Sequence, residues 1–516
     1  MLSVPSDIHR EVEVKMRVAS NFDCAPYLQD LPGTTLVGPH TVQLCATYYD
    51  TAELTLLRWG ITLRRREGGA DSGWHMKLPV TDDQDGAREE LHLPLTEGAP
   101  GDVPPEFIAM MAPLLRHGNI EYLADVNTTR TTYTFADRHA KPLVEVADDQ
   151  VIVEVNTREI NAFHEIEVEL LKDSKRSRKV LRKIQNRILD TGANPITLSK
   201  LASALGPAAT EPPDVPDLGP LSKDCLAVDF IAYVIAEHTR HLLMADVGVR
   251  RGMPDSIHQM RVSARRLRST LRSFKGLVDL ERTQQLRTEL SWIAHELGEV
   301  RDLEVLLERL IRQSAELSDP TDADVAASVI RSELQQRLEV AENNALLGLR
   351  SARYFDLIET LITASSQPPV TKDAFQPARE LLTSMAERTW RKLAKGVHTL
   401  SFESPDTQWH AVRIQAKRAR YTADAAATIS GKAMRTYAGK LATVTDILGD
   451  LHDAHVAELF LRELAQSPNV SGPQGLALGR LLDLQIQHNQ IERRKFTKAW
   501  PPTRTAARKA GLGKSG

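Results

Sequence analysis

The sequence predicts two units of different class, a strand-rich α+β half followed by an all-α half. Three observations carry this. Up to about residue 205, short runs alternate with period two: "EVEVKM", "TLRRRE", "WHMKLP", "REELHLPL", "LVEVADDQVIVEV" and "FHEIEVELL". Beyond residue 222, long segments such as "DFIAYVIAEHTRHLLM" and "LRTELSWIAHELGEVRDLEVLLERLI" repeat apolar residues at spacings of three and four. Between them, "GPAATEPPDVPDLGP" at 206–220 holds five prolines and no apolar period. The expected organisation is a strand domain at 1–205, a Pro-rich linker at 206–221, a helical domain at 222–500 and a basic flexible tail at 501–516, "RTAARKAGLGKSG" forming most of that tail.

At 516 residues with 42% hydrophobic content, the chain is too long for one core and rich enough in apolar residues to build two or three. Lys plus Arg number 65 against 68 Asp plus Glu, a net charge of −3, which excludes a uniformly basic coat for nucleic acid; any basic site is local. Cys24, Cys45 and Cys225 are far apart and show neither zinc nor disulfide spacing, which fits a reducing cytoplasm. The start, "MLSVPSDIHREVEVK", has no apolar signal core, and no run of 18 apolar residues follows anywhere, so the chain reads as soluble, not exported and without a membrane partner.

In the strand half, alternation sorts charge onto faces. "EVEVK" sets Glu11, Glu13 and Lys15 on one side and Val12 and Val14 on the other. A single face of this kind is ordinarily solvated. The pattern recurs with complementary signs: Arg64 with Arg66, His75 with Lys77, Arg88 with Glu90 and His92, and Glu165 with Glu167 and Glu169. If the strands close into a barrel, these faces line its interior. Glutamates without a Cys or His partner suit a hard divalent ion such as Mg²⁺, while Arg and Lys hold phosphate oxygens. Acids for a metal and bases for an anion describe a polyphosphate-type site.

"EVEVK" at 11–15, "YYDT" at 48–51, "GITLRRR" at 60–66, "MKLP" at 76–79 and "FHEIEVELL" at 163–171 occur in the order found in CYTH domains, the triphosphate tunnel metalloenzymes, which residues 1–205 therefore resemble. "LSKLASAL" at 198–205 is similar to their closing helix. The resemblance implies an antiparallel β-barrel tunnel of about eight strands with flanking helices. It implies Glu11, Glu13, Glu165 and Glu167 as metal ligands, and Glu11, Glu13 and Lys15 as catalytic. Lys15, Arg64, Arg66, Lys77, Arg88, Arg130 and Lys200 would bind substrate, with Glu90, Asp148 and Glu169 as supporting tunnel acids. The chain departs from the family pattern at His92, where a second Glu is expected, and at Asn127 and Thr129, where basic residues are common.

In the helical half, "HQMRVSARRLR" from His258 returns as "HAVRIQAKRARY" from His410, and "LGEVRDLEV" at 297–305 returns as "LGDLHDAHV" at 448–456. The two offsets, 152 and 151 residues, agree, so this half is an internal duplication of about 222–365 and 375–495. At helical spacing His258, Arg261, Arg265 and Arg268 share a stripe, as do His410, Arg413, Lys417 and Arg420, with Arg266 and Arg418 beside them. One such stripe is usually solvated; two facing each other repel and want a polyanion. The motif pair resembles the CHAD domain, two pseudo-symmetric helical-bundle repeats, and implies that these ten residues bind inorganic polyphosphate. Asp302 and Asp453 read as partners for Arg or as helix caps.

The leading reading is a Mg²⁺-dependent (Mn²⁺ as the second choice) hydrolase of inorganic triphosphate, with a helical domain that binds polyphosphate and associates with its granules. The alternatives are a non-catalytic polyphosphate-binding protein and an enzyme acting on nucleoside or thiamine triphosphate or cyclising ATP. The first motif stretch, "HQMRVSARRLR", has no Phe, Tyr or Trp to stack on a base, which argues against nucleic acid.

Overall fold

The computed structural model describes residues 8–80, 88–274 and 276–513, and the chain divides after Asp214, inside the Pro-rich segment. The first unit contains β1 (Ile8–Glu11), β2 (Glu13–Val18), α1 (Ala25–Leu28), β3 (Thr35–Asp50), α2 (Thr55–Arg58), β4 (Thr62–Glu67), β5 (Gly73–Pro79), β6 (Arg88–Leu93), α3 (Pro105–Leu115), β7 (Glu121–Ala136), β8 (Pro142–Val155), β9 (Arg158–Leu170), α4 (Lys175–Leu189), β10 (Asn194–Ile196) and α5 (Lys200–Leu205). The strands form one antiparallel sheet in the order β1-β6-β5-β4-β3-β7-β8-β9-β2-β10.

The hydrogen-bond ladder is not itself a closed ring. Its two ends are nevertheless one piece of chain, because β1 pairs with β6, β2 pairs with β9, and only Val12 separates β1 from β2. The Val12 carbonyl accepts from Leu170 N at 3.0 Å across the join. Counting β1 and β2 as one strand and leaving β10 outside, eight strand positions surround the interior.

Alternation assigns the two faces. On the outside, Met16, Val144, Val146, Ile166 and Val168 are buried under Val180, Leu181, Ile184 and Ile188 of α4. That helix begins where the Ser174 side chain accepts from Ser177 N. Inside, one end of the barrel is apolar: Tyr48, Val126, Val151 and Val153 pack with Leu201 and Ala202 of α5. Helix α5, capped by Ser199, closes this end and leaves the charged residues around the remaining cavity. The Pro-rich segment is not a free linker up to the division. Arg58 reaches Glu211 at 2.6 Å, and Asp214 accepts from Trp59 Nε1 at 3.1 Å and pairs with Arg116 at 2.6 Å.

The second unit is helical: α6 (Ala227–Arg250), α7 (Ser256–Ser273), α8 (Gln284–Ser314), α9 (Pro320–Leu349), α10 (Ala352–Ser366), α11 (Ala378–His398), α12 (Asp406–Ile429), α13 (Lys432–Ala465) and α14 (Gly472–Lys509). The duplication appears as α6–α9 repeated by α11–α14, with α10 the added element. Equivalent helices from both repeats meet in one core, where Leu306, Leu310, Ile330 and Leu334 touch Phe460, Leu461, Leu478 and Leu481. The expected tail is corrected: residues 501–509 continue α14, with Thr503, Ala506 and Ala507 buried, and residues 514–516 lie outside the described residues. Among the described residues no helix is long and apolar enough to cross a membrane.

Candidate active site

In an antiparallel pair, residues directly opposite share a face. The register therefore builds the interior of the first unit from pairs: Glu13 faces Glu169 and Lys15 faces Glu167, while Glu11 lies opposite Arg88, Lys77 opposite Glu90, and Arg64 opposite both Tyr48 and His75. These side chains, with Arg66, Arg130, Glu145, His92 and Lys200, line a cavity of about 940 Å³.

Two acidic corners result. In the first, Asp149, Glu165 and Glu167 are buried side by side with carboxylate oxygens within 4.8 Å of one another. Lys200 Nζ lies 2.9, 2.8 and 2.7 Å from them. Arg130 donates through Nε and NH2 to Asp149 at 2.8 and 2.6 Å, and through NH2 to Glu167 at 2.6 Å. Against the penalty of burial, Lys15, Lys200 and Arg130 hold the Glu167 carboxyl well below its usual range, whereas burial raises Glu165. Neither Glu165 oxygen accepts a well-directed hydrogen bond.

In the second corner stand Glu11, Glu13 and Glu169. Burial, and then repulsion from Glu11 and Glu13, pushes Glu169 up to about 8; burial pushes Glu11 to about 7 despite its ion pair with Lys77. Lys15 lies 2.9 Å from Glu13 and 2.8 Å from Glu167, linking the two corners. On the far wall Glu90 is gripped by His75 Nδ1 at 3.0 Å, Arg64 at 3.4 Å and Lys77 at 3.8 Å. Although burial opposes it, these partners keep Glu90 ionised. Arg64 also donates to the Tyr48 hydroxyl at 3.3 Å.

Of the expected residues, the structure brings Glu11, Glu13, Lys15, Arg64, Arg66, Lys77, Arg88, Glu90, Arg130, Glu167, Glu169 and Lys200 to the cavity, with Glu165 buried under Lys200. Asp148 is a correction. It lies opposite Ile166 on the outer face and pairs with His164, while its neighbour Asp149 lies opposite Glu165 inside. The four expected metal ligands also fall into the two corners instead of one cluster, with Asp149 and Glu169 completing them. Three buried carboxylates, two of their oxygens without a directed hydrogen bond, form a donor set that fits a hard divalent ion. Asp50 of "YYDT" acts structurally, accepting from Leu56 N and Leu57 N at 2.8 and 2.9 Å to start α2.

In the second unit α7 and α12 lie against each other. Burial, and then the nearby charges of Arg413 on α12 and of Arg265 and Arg261 on α7, lowers Lys417 to about 7. The Nε atoms of Arg265 and Arg413 are buried without a hydrogen-bond partner. Burial and neighbouring cations also lower His258 and His410, and they bring His452 to about 4. Asp302 sits in mid-helix and pairs with Arg261 at 2.8 Å, which settles it as an Arg partner, not a cap. Arg268 donates to Ser291 Oγ at 3.2 Å, and Arg420 to Thr445 Oγ1 at 2.8 Å and Asp446 at 3.1 Å. Arg266 and Arg418 are exposed away from this face; Arg266 lines a smaller cavity with His238 and Asp424. Arg301, the counterpart in the first copy of His452 in the second, lies near enough to His258 for its charge to lower that ring, and it pairs with Glu304 at 3.0 Å.

The CYTH domain model matches residues 9–192 and the CHAD domain model residues 233–462. An uncharacterized protein of Mycobacterium tuberculosis, found in two strains, is 31% identical over 535 residues, covering 97% of this chain and 98% of its own. Among solved structures, PptA from Streptomyces chartreusis is 23% identical, with a TM-score of 0.47, over 54% of this chain and 100% of its own. The CHAD domain from the plant Ricinus communis is 24% identical, with a TM-score of 0.44, over 54% of this chain and 93% of its own. An adenylyl cyclase homologue from Hippeastrum, described as having a dominant triphosphatase activity, is 18% identical, with a TM-score of 0.25, over 38% of this chain and 98% of its own. The chain thus belongs to the CYTH and CHAD families, the two domains joined in that order in one polypeptide.

Proposed function

We propose that the first unit is a divalent-metal-dependent hydrolase of inorganic triphosphate, converting tripolyphosphate and water to pyrophosphate and phosphate. The observation that carries this reading is the convergence of Lys15, Arg64, Arg66, Lys77, Arg130 and Lys200 from five elements on one cavity, beside buried carboxylates. Asp149, Glu165 and Glu167, with Glu11, Glu13 and Glu169 opposite, would hold the metal, Mg²⁺ or Mn²⁺, by oxygen ligands. The ion supplies neutralisation of charge on phosphoryl oxygens. The chain's own residues bind and orient the anion. Arg64, Arg66 and Arg130 offer planar forks to phosphate oxygens, and Lys15, Lys77 and Lys200 supply compact charges in an enclosure whose low dielectric strengthens each contact. Helix α5 keeps water from the apolar end of the barrel, so the anion sits against Lys200 and not beyond it.

Purified protein given tripolyphosphate and Mg²⁺ is expected to release phosphate over many turnovers. Glu167→Gln is expected to lower the rate roughly 100-fold, the scale of removing a preorganised electrostatic contact. ATP, thiamine triphosphate and long-chain polyphosphate in parallel rank the substrates. Absence of multiple turnovers with any of them would leave a binding protein instead.

For the second unit we propose that the face formed by His258, Arg261, Arg265, His410, Arg413 and Lys417 binds inorganic polyphosphate and holds the enzyme on polyphosphate granules. Its support is the crowding of like charges from two helices, which an anion of repeating phosphates would relieve.

A further inference from the structure

At the rim of the first unit's cavity stands a group that the triphosphate reading does not use: Asp71, His75 and His92. Their potential ligand atoms lie within 4.8 Å of one another, and all three residues line the cavity. The placement follows from the backbone. His75 and His92 are direct cross-strand partners on β5 and β6, with ring centroids 4.9 Å apart. Asp71 precedes His75 by four residues, and Gly73 stands between them. A Cβ at Gly73 would lie 2.1 Å from His92 Nε2, so only glycine lets that ring lie across the strand toward Asp71.

The contacts of the two rings point to a ligand. Buried His75 has Nδ1 3.0 Å from Glu90 Oε1 and Nε2 3.2 Å from the Asp71 carbonyl oxygen, with Asp71 Oδ2 at 4.0 Å. His92 Nε2 is 3.4 Å from the Ser72 carbonyl oxygen and 3.8 Å from Asp71 Oδ1. A neutral imidazole donates through one nitrogen only. With Nδ1 donating to Glu90, the Nε2 lone pair of His75 has no donor: the Asp71 carbonyl oxygen it meets is itself an acceptor, already bonded by Arg66 Nε and Nη2 at 3.0 and 2.7 Å, so a cation held with the Asp71 carboxylate would give that lone pair a partner. A carboxylate on the far nitrogen of a histidine is the usual support of a metal-bound ring.

We propose that Asp71, His75 and His92 form a second metal site, for a borderline transition ion such as Zn²⁺ or Co²⁺, distinct from the carboxylate corners. Two imidazoles and one carboxylate suit such ions and are poor ligands for Mg²⁺, which prefers oxygen. Ligand bonds of about 2.0–2.2 Å set tetrahedral ligand atoms about 3.4 Å apart, a modest contraction from the separations present. Asp71 belongs to a loop opened by Gly68 and Gly69 and can make that movement. Three protein ligands leave a position open to the cavity. The Asp71 carboxylate also pairs with Arg66, so an ion taking it leaves that guanidinium held only through the Asp71 carbonyl oxygen, at 3.0 Å from Nε and 2.7 Å from Nη2.

The test reads metal alone. Co²⁺ titrated into the full-length protein in excess Mg²⁺ is expected to give the visible absorption of a tetrahedral site. Asp71→Asn and His92→Gln, both at partly or fully exposed positions and checked by thermal unfolding, are expected to weaken binding at least about tenfold. The proposal is overturned if excess Mg²⁺ removes the Co²⁺ signal or if both variants bind Co²⁺ as the parent does. Tripolyphosphate turnover plays no part in this readout, so its failure and the failure of this site are separate results.

Discussion

Asp148 and Asp149 are adjacent, equally acidic and chemically interchangeable, yet the backbone sends them to opposite sides of β8. Asp149 is fully buried among Arg130 and Lys200, whereas Asp148 meets His164 on the outer face. Asp149→Asn is expected to lower phosphate release from tripolyphosphate roughly 10- to 100-fold, because Arg130 and Lys200 lose the carboxylate that orients them. Asp148→Asn is expected to stay close to the parent. Steady-state assays of the pair decide it, and equal losses would contradict the assigned faces.

At the scale of the element, α14 shows packing overriding local preference. Pro501 and Pro502 lie inside the helix, where proline removes a hydrogen bond and clashes with the preceding turn. The helix continues because its far side is held. Trp500 stacks on Trp390 of α11 with centroids 5.3 Å apart, and Thr503, Ala506, Ala507 and Leu512 are buried beyond it. A chain ending at Trp500 is therefore expected to lose about 2–4 kcal/mol of apolar burial from the second unit. Thermal unfolding followed by tryptophan fluorescence measures this, and an unchanged transition would show that the segment contributes nothing. Helix α5 illustrates the reverse case. The resemblance of "LSKLASAL" to a closing helix implies both the helix and the inward reach of Lys200, and the structure forms it over Lys200–Leu205, capped by Ser199, as the barrel's plug.

At the scale of the whole chain, duplication turns an ordinary basic helix into a paired face. Lys417 is partly buried, and it is pressed by Arg413 on its own helix and by Arg265 and Arg261 on α7, with Asp453 on α13 the opposing charge. Its folded value of about 7 lies below the unfolded value near 10.4. Between these the unfolded chain binds more protons, so this group destabilises the fold, in full below about pH 7, and the penalty is relieved as pH climbs from about 7 to 10. A bound polyanion favours the charged amine, so binding of long-chain polyphosphate at pH 8 is expected to take up protons. Calorimetry in buffers of different ionisation enthalpy reads that uptake, which Lys417→Met should abolish while weakening binding about tenfold, the scale of one charge-assisted hydrogen bond. Binding enthalpy independent of buffer in the parent would contradict it.

The class of each half, the duplication and most of the cavity-lining charges were legible because they depend on spacing along one segment. Period two places Glu11, Glu13 and Lys15 on one face, and helical spacing aligns Arg261 with Arg265, whatever lies across from them. What spacing cannot supply is the partner. Which of Asp148 and Asp149 faces inward depends on register against β9, and the meeting of His75 with His92 over Gly73 depends on β5 pairing with β6. Whether Arg265 and Lys417 solvate separately or press on each other depends on α7 meeting α12. The sequence by itself determined periodicity, charge segregation and repeat. Tertiary structure alone decided register, enclosure and pairing, because burial and closure join groups far apart in the chain, and a group's charge state is set by the neighbours so acquired.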